Sequence, residues 1–177
     1  MVKNIRNGAA LAVDPIHELK LELAFRVARL IGSAQKQATA IPRLTLLRRT
    51  APTAACHATY EPSVIVVAQG RKEVQMGTDT LTYDSSRYLL TSVDLPTVTR
   101  VAEASEDAPC LAISLKLDIS IIREFLSREE FPPLDASPAS PAMSTGPITA
   151  EFLSAWCRLL DLLSSPDDIH FLSGFIE

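Results

Sequence analysis

Pro62-Ser-Val-Ile-Val-Val-Ala-Gln-Gly-Arg-Lys72, Tyr88-Leu-Leu-Thr-Ser-Val-Asp-Leu-Pro96 and Pro109-Cys-Leu-Ala-Ile-Ser-Leu-Lys-Leu-Asp118 are three phrases of one stretch, Tyr60 to Asp118, and their reading decides the fold. Each is rich in β-branched and aliphatic residues and is bounded by Gly, Pro, Asp or Ser, the pattern of short strands closed by turns. Segments of this kind run from Arg43 to Thr50, Ser63 to Gln69, Lys72 to Met76, Thr80 to Tyr83, Arg87 to Ser92, Thr97 to Ala104 and Cys110 to Leu117. Gly70, Gly77-Thr-Asp79 and Asp84-Ser-Ser86 supply turns between them, and Glu103 to Pro109 a polar loop. Many short strands with no helices between them predict an antiparallel barrel or sandwich and exclude a parallel sheet.

Two faces are legible on the last of these strands. Leu111, Ile113, Leu115 and Leu117 form a bulky face, while Cys110, Ala112 and Ser114 form a small one. The small face leaves room for a ligand inside a barrel or for close packing against a helix or an opposing sheet. By the same alternation Tyr88, Leu90 and Ser92 share a face, and Gln69 shares one with Ile65 and Val67. A polar side chain on an apolar face needs a partner in backbone, water or ligand.

Helices flank the strands. Ile16, Leu19, Leu23, Val27 and Leu30 recur at intervals of three and four with charged residues between them, so an amphipathic helix is expected from Asp14 to about Ile31. Asp14 is its expected N-cap, Pro15 its first residue and Gly32 its stop. Asp118 reads as the N-cap of a second helix through about Glu130, closed by Pro132-Pro133. The following stretch to Pro147 has linker composition, and a third helix is expected from about Ile148 with Phe152, Trp156, Leu159, Leu160 and Leu163 on one face. That face suits core packing or docking on a twin helix of another chain. Pro166-Asp-Asp168 followed by Ile169 to Ile176 reads as a last short helix.

The chain has 177 residues, 47% of them hydrophobic and 21% charged, with a net charge of -4. That is enough for one domain with a real core, and the composition is not that of a disordered chain. The acidic balance argues against direct nucleic-acid binding, which draws its affinity from clustered Lys and Arg. Cys56, Cys110 and Cys157 have neither zinc-site nor disulfide-framework spacing, which fits a reducing compartment. The apolar run Gly8-Ala-Ala-Leu-Ala-Val13 ends at Asp14-Pro15, too early for an export signal, and no stretch approaches the roughly 20 apolar residues of a membrane span.

The strand phrases, in this order and spacing, resemble the N-terminal domain of AraC-type transcriptional regulators. The resemblance spans about Ile41 to Ile176. It rests on Ile41-Pro42-x-Leu44 leading to Arg48, on Pro62 and the strand and turn ending Gln69-Gly70-x-Lys72, on Tyr83 and Tyr88-Leu-Leu90, on Ser92-Val-Asp-Leu-Pro96, on Pro109-Cys-Leu-Ala112 with Leu117-Asp118, and on Pro166-Asp-Asp-Ile169 with Leu172. The family implies a mainly β, cupin-like antiparallel barrel with an N-terminal helix and C-terminal helices. On that basis residues 1–40 are expected to be an N-terminal helical segment, 41–117 the barrel and 118–177 helices for dimerisation and linkage. The helix-turn-helix domain that normally follows is expected to be absent, so that DNA would be met only through a part outside this chain. A homodimer in the bacterial cytoplasm, controlled by a small-molecule effector or by oligomeric state, is what the family implies. Gln69, Lys72, Tyr88, Ser92, Asp94 and Arg100 are the motif residues expected at an effector pocket or its rim, and Phe152, Trp156, Leu159, Leu160 and Leu163 at a dimer interface.

A cupin-like barrel raises metal chemistry, because metal-dependent cupin enzymes are similar in carrying a His-x-His pair, a nearby Glu and a later His. Here His17, His57 and His170 are scattered, so no metal site or cofactor is expected. Cys56-His57 is the one Cys/His adjacency, and neighbours on a strand point to opposite faces. Asp84, Asp94, Glu103 and Asp107 sit near turns, where carboxylates cap backbone N–H groups. Gln69-Gly-Arg-Lys72 lacks the spacing of a phosphate loop. The reading is therefore a non-enzymatic sensor and dimerisation module of a transcription regulator, with a small cupin-type enzyme and a barrel that only mediates protein contacts as its rivals.

Overall fold

The computed structural model describes residues 14–127 and 141–164. Helix α1, Pro15–Ile31, begins where the Asp14 carboxylate accepts from the Ile16 N–H at 3.0 Å and ends at Gly32, whose φ of 55° takes the chain out of the helix. Among the described residues ten strands follow in sequence: β1 Lys36–Ala38, β2 Leu44–Arg49, β3 Cys56–Tyr60, β4 Ser63–Gln69, β5 Arg71–Met76, β6 Asp79–Asp84, β7 Arg87–Thr91, β8 Leu95–Glu103, β9 Cys110–Lys116 and β10 Met143–Pro147. Helix α2, Ile119–Ser127, lies between β9 and β10, and α3, Ala150–Asp161, follows β10 with Thr149 as its N-cap.

The strands form two antiparallel sheets, one ordered β1-β2-β9-β4-β7-β10 and the other β3-β8-β5-β6. Face to face they make the expected cupin-like barrel. Between the sheets lie Ile65, Val67, Val74, Tyr83, Leu89, Val101, Cys110, Ala112 and Met143. The outer face of the six-stranded sheet carries a second core, in which Leu44, Leu46, Val66, Leu111 and Ile113 pack against Leu23 and Val27 of α1 and Leu153, Trp156 and Leu160 of α3. Full burial of each such aliphatic side chain stabilises by about 1.5–3 kcal/mol. The two-faced strand β9 thus resolves cleanly: its bulky residues hold the helices and its small ones face the barrel.

Three strands were not expected from the sequence. β1 and β3 are sheet edges whose residues are mostly exposed, so no apolar alternation marks them. β10 lies inside the stretch of linker composition and runs Met-Ser-Thr-Gly-Pro. It is a strand because β7 offers it a ladder, from Met143 opposite Thr91 to Pro147 opposite Arg87. Asp94, expected near a turn, stands just ahead of β8, which Leu95 and Pro96 open, and Pro96 sits ahead of the residues that pair with β5, where its missing N–H costs no bond to that neighbour. The expected helix over 166–176 and the end of α2 past Ser127 lie outside the described residues.

Candidate functional site in the barrel interior

Cross-strand partners share a face, so the register assigns the inner wall of the smaller sheet. Lys72 stands opposite Tyr83 on β6 and Val101 on β8, both buried between the sheets. Lys72 is therefore an inward-facing cation at the barrel end beside Gly70. Its ammonium lies 5.7 Å from the centroid of the Tyr83 ring, a cation–π contact worth about 1 kcal/mol. From the larger sheet, Cys110 stands opposite Arg49. Burial pushes the Cys110 thiol up, against the opposing pull of Lys72 and Arg49, which places two basic side chains near this end.

A chain of hydroxyls runs beside them. The Tyr60 hydroxyl lies 2.9 Å from Thr99 Oγ1 and 3.4 Å from the Tyr83 hydroxyl, and Thr99 donates to the Glu73 carbonyl at 3.1 Å. Burial, reinforced by Tyr60, pushes the Tyr83 phenol well above its ordinary range, so it stays protonated and able to donate. At the opposite end the Ser63 and Thr91 hydroxyls lie 2.9 Å apart and share the Glu61 carbonyl, at 2.9 and 2.7 Å, one donating to that carbonyl and the other free to donate to it or to its neighbouring hydroxyl. Among the described residues no buried side-chain nitrogen or oxygen lacks a partner. The interior is consequently complete without a ligand, with an apolar middle and a cationic, hydroxyl-lined end.

The expected pocket residues do not converge. Lys72 alone faces inward. A bulge between Val67 and Gln69 sets Gln69 opposite Leu111, whose side chain belongs to the outer core, so Gln69 leaves the face of Ile65 and Val67. Its amide donates to the Pro109 carbonyl at 2.9 Å. Tyr88 stacks on Phe152 outside the barrel at a centroid distance of 4.8 Å. The exposed Ser92 hydroxyl donates to the Ala142 carbonyl at 3.3 Å, and Asp94 is exposed ahead of β8. Arg100 pairs with Glu73 at 2.6 Å and lines an open depression of about 370 Å³ on the outer face of the smaller sheet, with Thr53, Arg71 and Glu103. Phe152, Trp156, Leu159, Leu160 and Leu163 all pack into the outer core of their own chain. Tyr60, Tyr83, Thr99 and Cys110 were missed. The small face of Cys110, Ala112 and Ser114 was the one signal that pointed inward.

A second open depression, about 390 Å³, is walled by Arg43, Glu61, Lys116 and Asp118, which form two ion pairs. His17 and His57 are exposed, and His170 lies outside the described residues. Among the described residues no group of three or more His, Cys, Asp or Glu is placed to hold a metal ion. No described helix is long and apolar enough to cross a membrane.

The architecture has counterparts among solved structures. ToxT from Vibrio cholerae strain SCE256, in its unsaturated-fatty-acid-bound form, matches over 75% of this chain and 51% of its own at 10% identity, with a TM-score of 0.52. ToxT from Vibrio cholerae O395, bound to (E)-4-(8-methylnaphthalen-1-yl)but-3-enoic acid, matches over 80% and 55% at 11% identity, with a TM-score of 0.48. A cupin-2 domain protein from Shewanella frigidimarina NCIMB 400 matches over 48% and 72% at 12% identity, with a TM-score of 0.28. The chain thus spans about half the length of the ToxT chains it matches. No curated protein matches it in sequence. Residues 40–177 match the model of the AraC-type transcriptional regulator N-terminus, and since that is most of its length the chain belongs to this family of regulatory domains.

Proposed function

We propose that the barrel senses an amphipathic, anionic small molecule, with Lys72 receiving the anionic group and the apolar residues between the sheets receiving the hydrocarbon part. The observation that carries this reading is an ammonium on the inner wall, seated over the Tyr83 ring at a hydroxyl-lined end of an interior whose middle is apolar. A half-buried cation resting on a ring face gains from a carboxylate, whose charge-assisted hydrogen bonds are about twice as strong as neutral ones. The ToxT structure of similar fold holds an unsaturated fatty acid, a molecule of this class. Because the interior is closed by its own side chains, entry requires Tyr83 and its neighbours to move, and the ligand selects that opened state.

The output is regulatory and not catalytic in this reading. The domain acts as a homodimer in the bacterial cytoplasm, and the opened and closed barrels present different surfaces to the DNA-binding part of a full-length regulator. Calorimetric titration with a long-chain cis-unsaturated fatty acid tests the effector. Saturable binding is expected, weakened about tenfold or more by Lys72→Met and by replacing the acid with its methyl ester. Equal binding by the wild type and Lys72→Met, or no saturable binding at all, would remove the effector reading.

A further inference from the structure

Helix α1 has a second face that the fold leaves uncovered. Leu23, Ala24, Val27 and Ile31 are buried against the sheet and α3. On the opposite side Glu18, Leu21, Glu22, Phe25 and Arg29 fall within an arc of about 100° at 3.6 residues per turn. Phe25 and Leu21 are 67% and 59% exposed, the two most exposed large apolar side chains among the described residues. Glu22 is engaged by Arg26 at 2.6 Å. Glu18 in the first turn and Arg29 in the last have no ion pair among the described residues.

We infer that this stripe is a self-docking surface on which α1 of a second copy lies antiparallel. The charge order argues for the second copy. A two-fold axis passing midway between Glu18 and Arg29 sets Glu18 of one chain level with Arg29 of the other, twice. At about 1.5 Å rise per residue the same axis brings Leu21 within about 1.5 Å axially of the second copy's Phe25. One geometry therefore buries both apolar pairs at the centre and closes both ion pairs at the rim, the self-complementarity that an isologous contact requires. Helix α1 precedes the residues, 40–177, that match the family. The inference rests on the homodimer in the proposed function and names its contact.

Sedimentation velocity of the whole chain over a wide concentration range tests it. The wild type is expected to dimerise reversibly, and Leu21→Ser with Phe25→Ser should raise the dissociation constant about tenfold or more. Glu18→Arg or Arg29→Glu alone opposes like charges and should weaken association about fivefold at low salt. The double reversal restores both pairs and should return the constant to near the wild-type value. A dimer unaffected by the Leu21 and Phe25 changes would overturn the α1 contact while leaving dimerisation intact. A wild-type chain that stays monomeric would overturn both. Weakening by each single reversal without recovery in the double variant would mean that α1 docks on something other than its twin, and would also overturn the inference.

Discussion

At Gly70 the chain turns from the six-stranded sheet into the four-stranded one with φ at +84°. A Cβ there would lie 2.6 Å from the Glu103 carbonyl oxygen and 2.9 Å from the Cys110 Cα, both backbone atoms of strands that cannot give way separately. Gly70→Ala should therefore cost about 2–4 kcal/mol, combining left-handed strain with overpacking, and chemical denaturation would measure it. Gly146 is different, since its Cβ would strike the Tyr88 ring, a side chain, and Tyr88 is fixed by Phe152 behind it. The turn at Gly70 was legible in the sequence because glycine beside a strand end has few other meanings. The inward lysine two residues later was legible as a motif member, but not its direction. The bulge at Val67/Gln69 separates the two faces, and no pattern of residue types announces a bulge.

Among the elements, α2 is held in an unusual way, for none of its residues is buried. Its start is fixed by Asp118, whose carboxylate accepts from the Ser120 N–H at 2.9 Å and the Ile121 N–H at 3.4 Å while pairing with Arg43 at 2.7 Å. Arg43 itself is held at φ 67°, a conformation rare for a non-glycine residue. The ion pair with Arg43, then the two amides, holds the Asp118 carboxyl below the usual carboxylate range. A depressed folded pKa means stability that is present above the unfolded value, about 3.9, and is lost as pH falls through the lower folded value. The protection factors of the Ser120, Ile121 and Ile122 amides, taken against the intrinsic exchange rate at each pH, should accordingly stay high at neutral pH and fall below about pH 4, with Asp118→Ala unprotected throughout and Asp118→Asn intermediate, because Asn caps without pairing. Uniform exchange in all three proteins would mean that the cap does not hold the helix. The sequence announced this element through its capping residue, as it announced α1 through its periodicity. It was silent on β1, β3 and β10, which owe their existence to a neighbouring ladder and not to side chains of their own.

Across the whole molecule, β9 is the wall common to both cores. Cys110 and Ala112 face the proposed effector space, and Leu111 and Ile113 between them carry α1 and α3. The helices are also tied to each other, since Arg26 of α1 donates to the Cys157 carbonyl at 2.9 Å and pairs with Asp161 of α3. A displacement of β9 toward or away from an occupied interior therefore moves the surface on which α1 rests, and with it the stripe of Leu21 and Phe25. Packed interiors transmit such shifts because they have little free volume to absorb them. If effector binding and association are coupled in this way, linkage requires the coupling to be reciprocal. Saturating fatty acid should change the dimer dissociation constant by some factor, and the affinity for fatty acid, titrated well below and well above that constant, should change by the same factor. Typical couplings of 1–3 kcal/mol correspond to about 5- to 150-fold, within reach of sedimentation and calorimetry. In Leu21→Ser with Phe25→Ser the concentration dependence of fatty-acid affinity should flatten while binding itself persists. Equal dimer constants with and without fatty acid would show that β9 separates the two cores without connecting them.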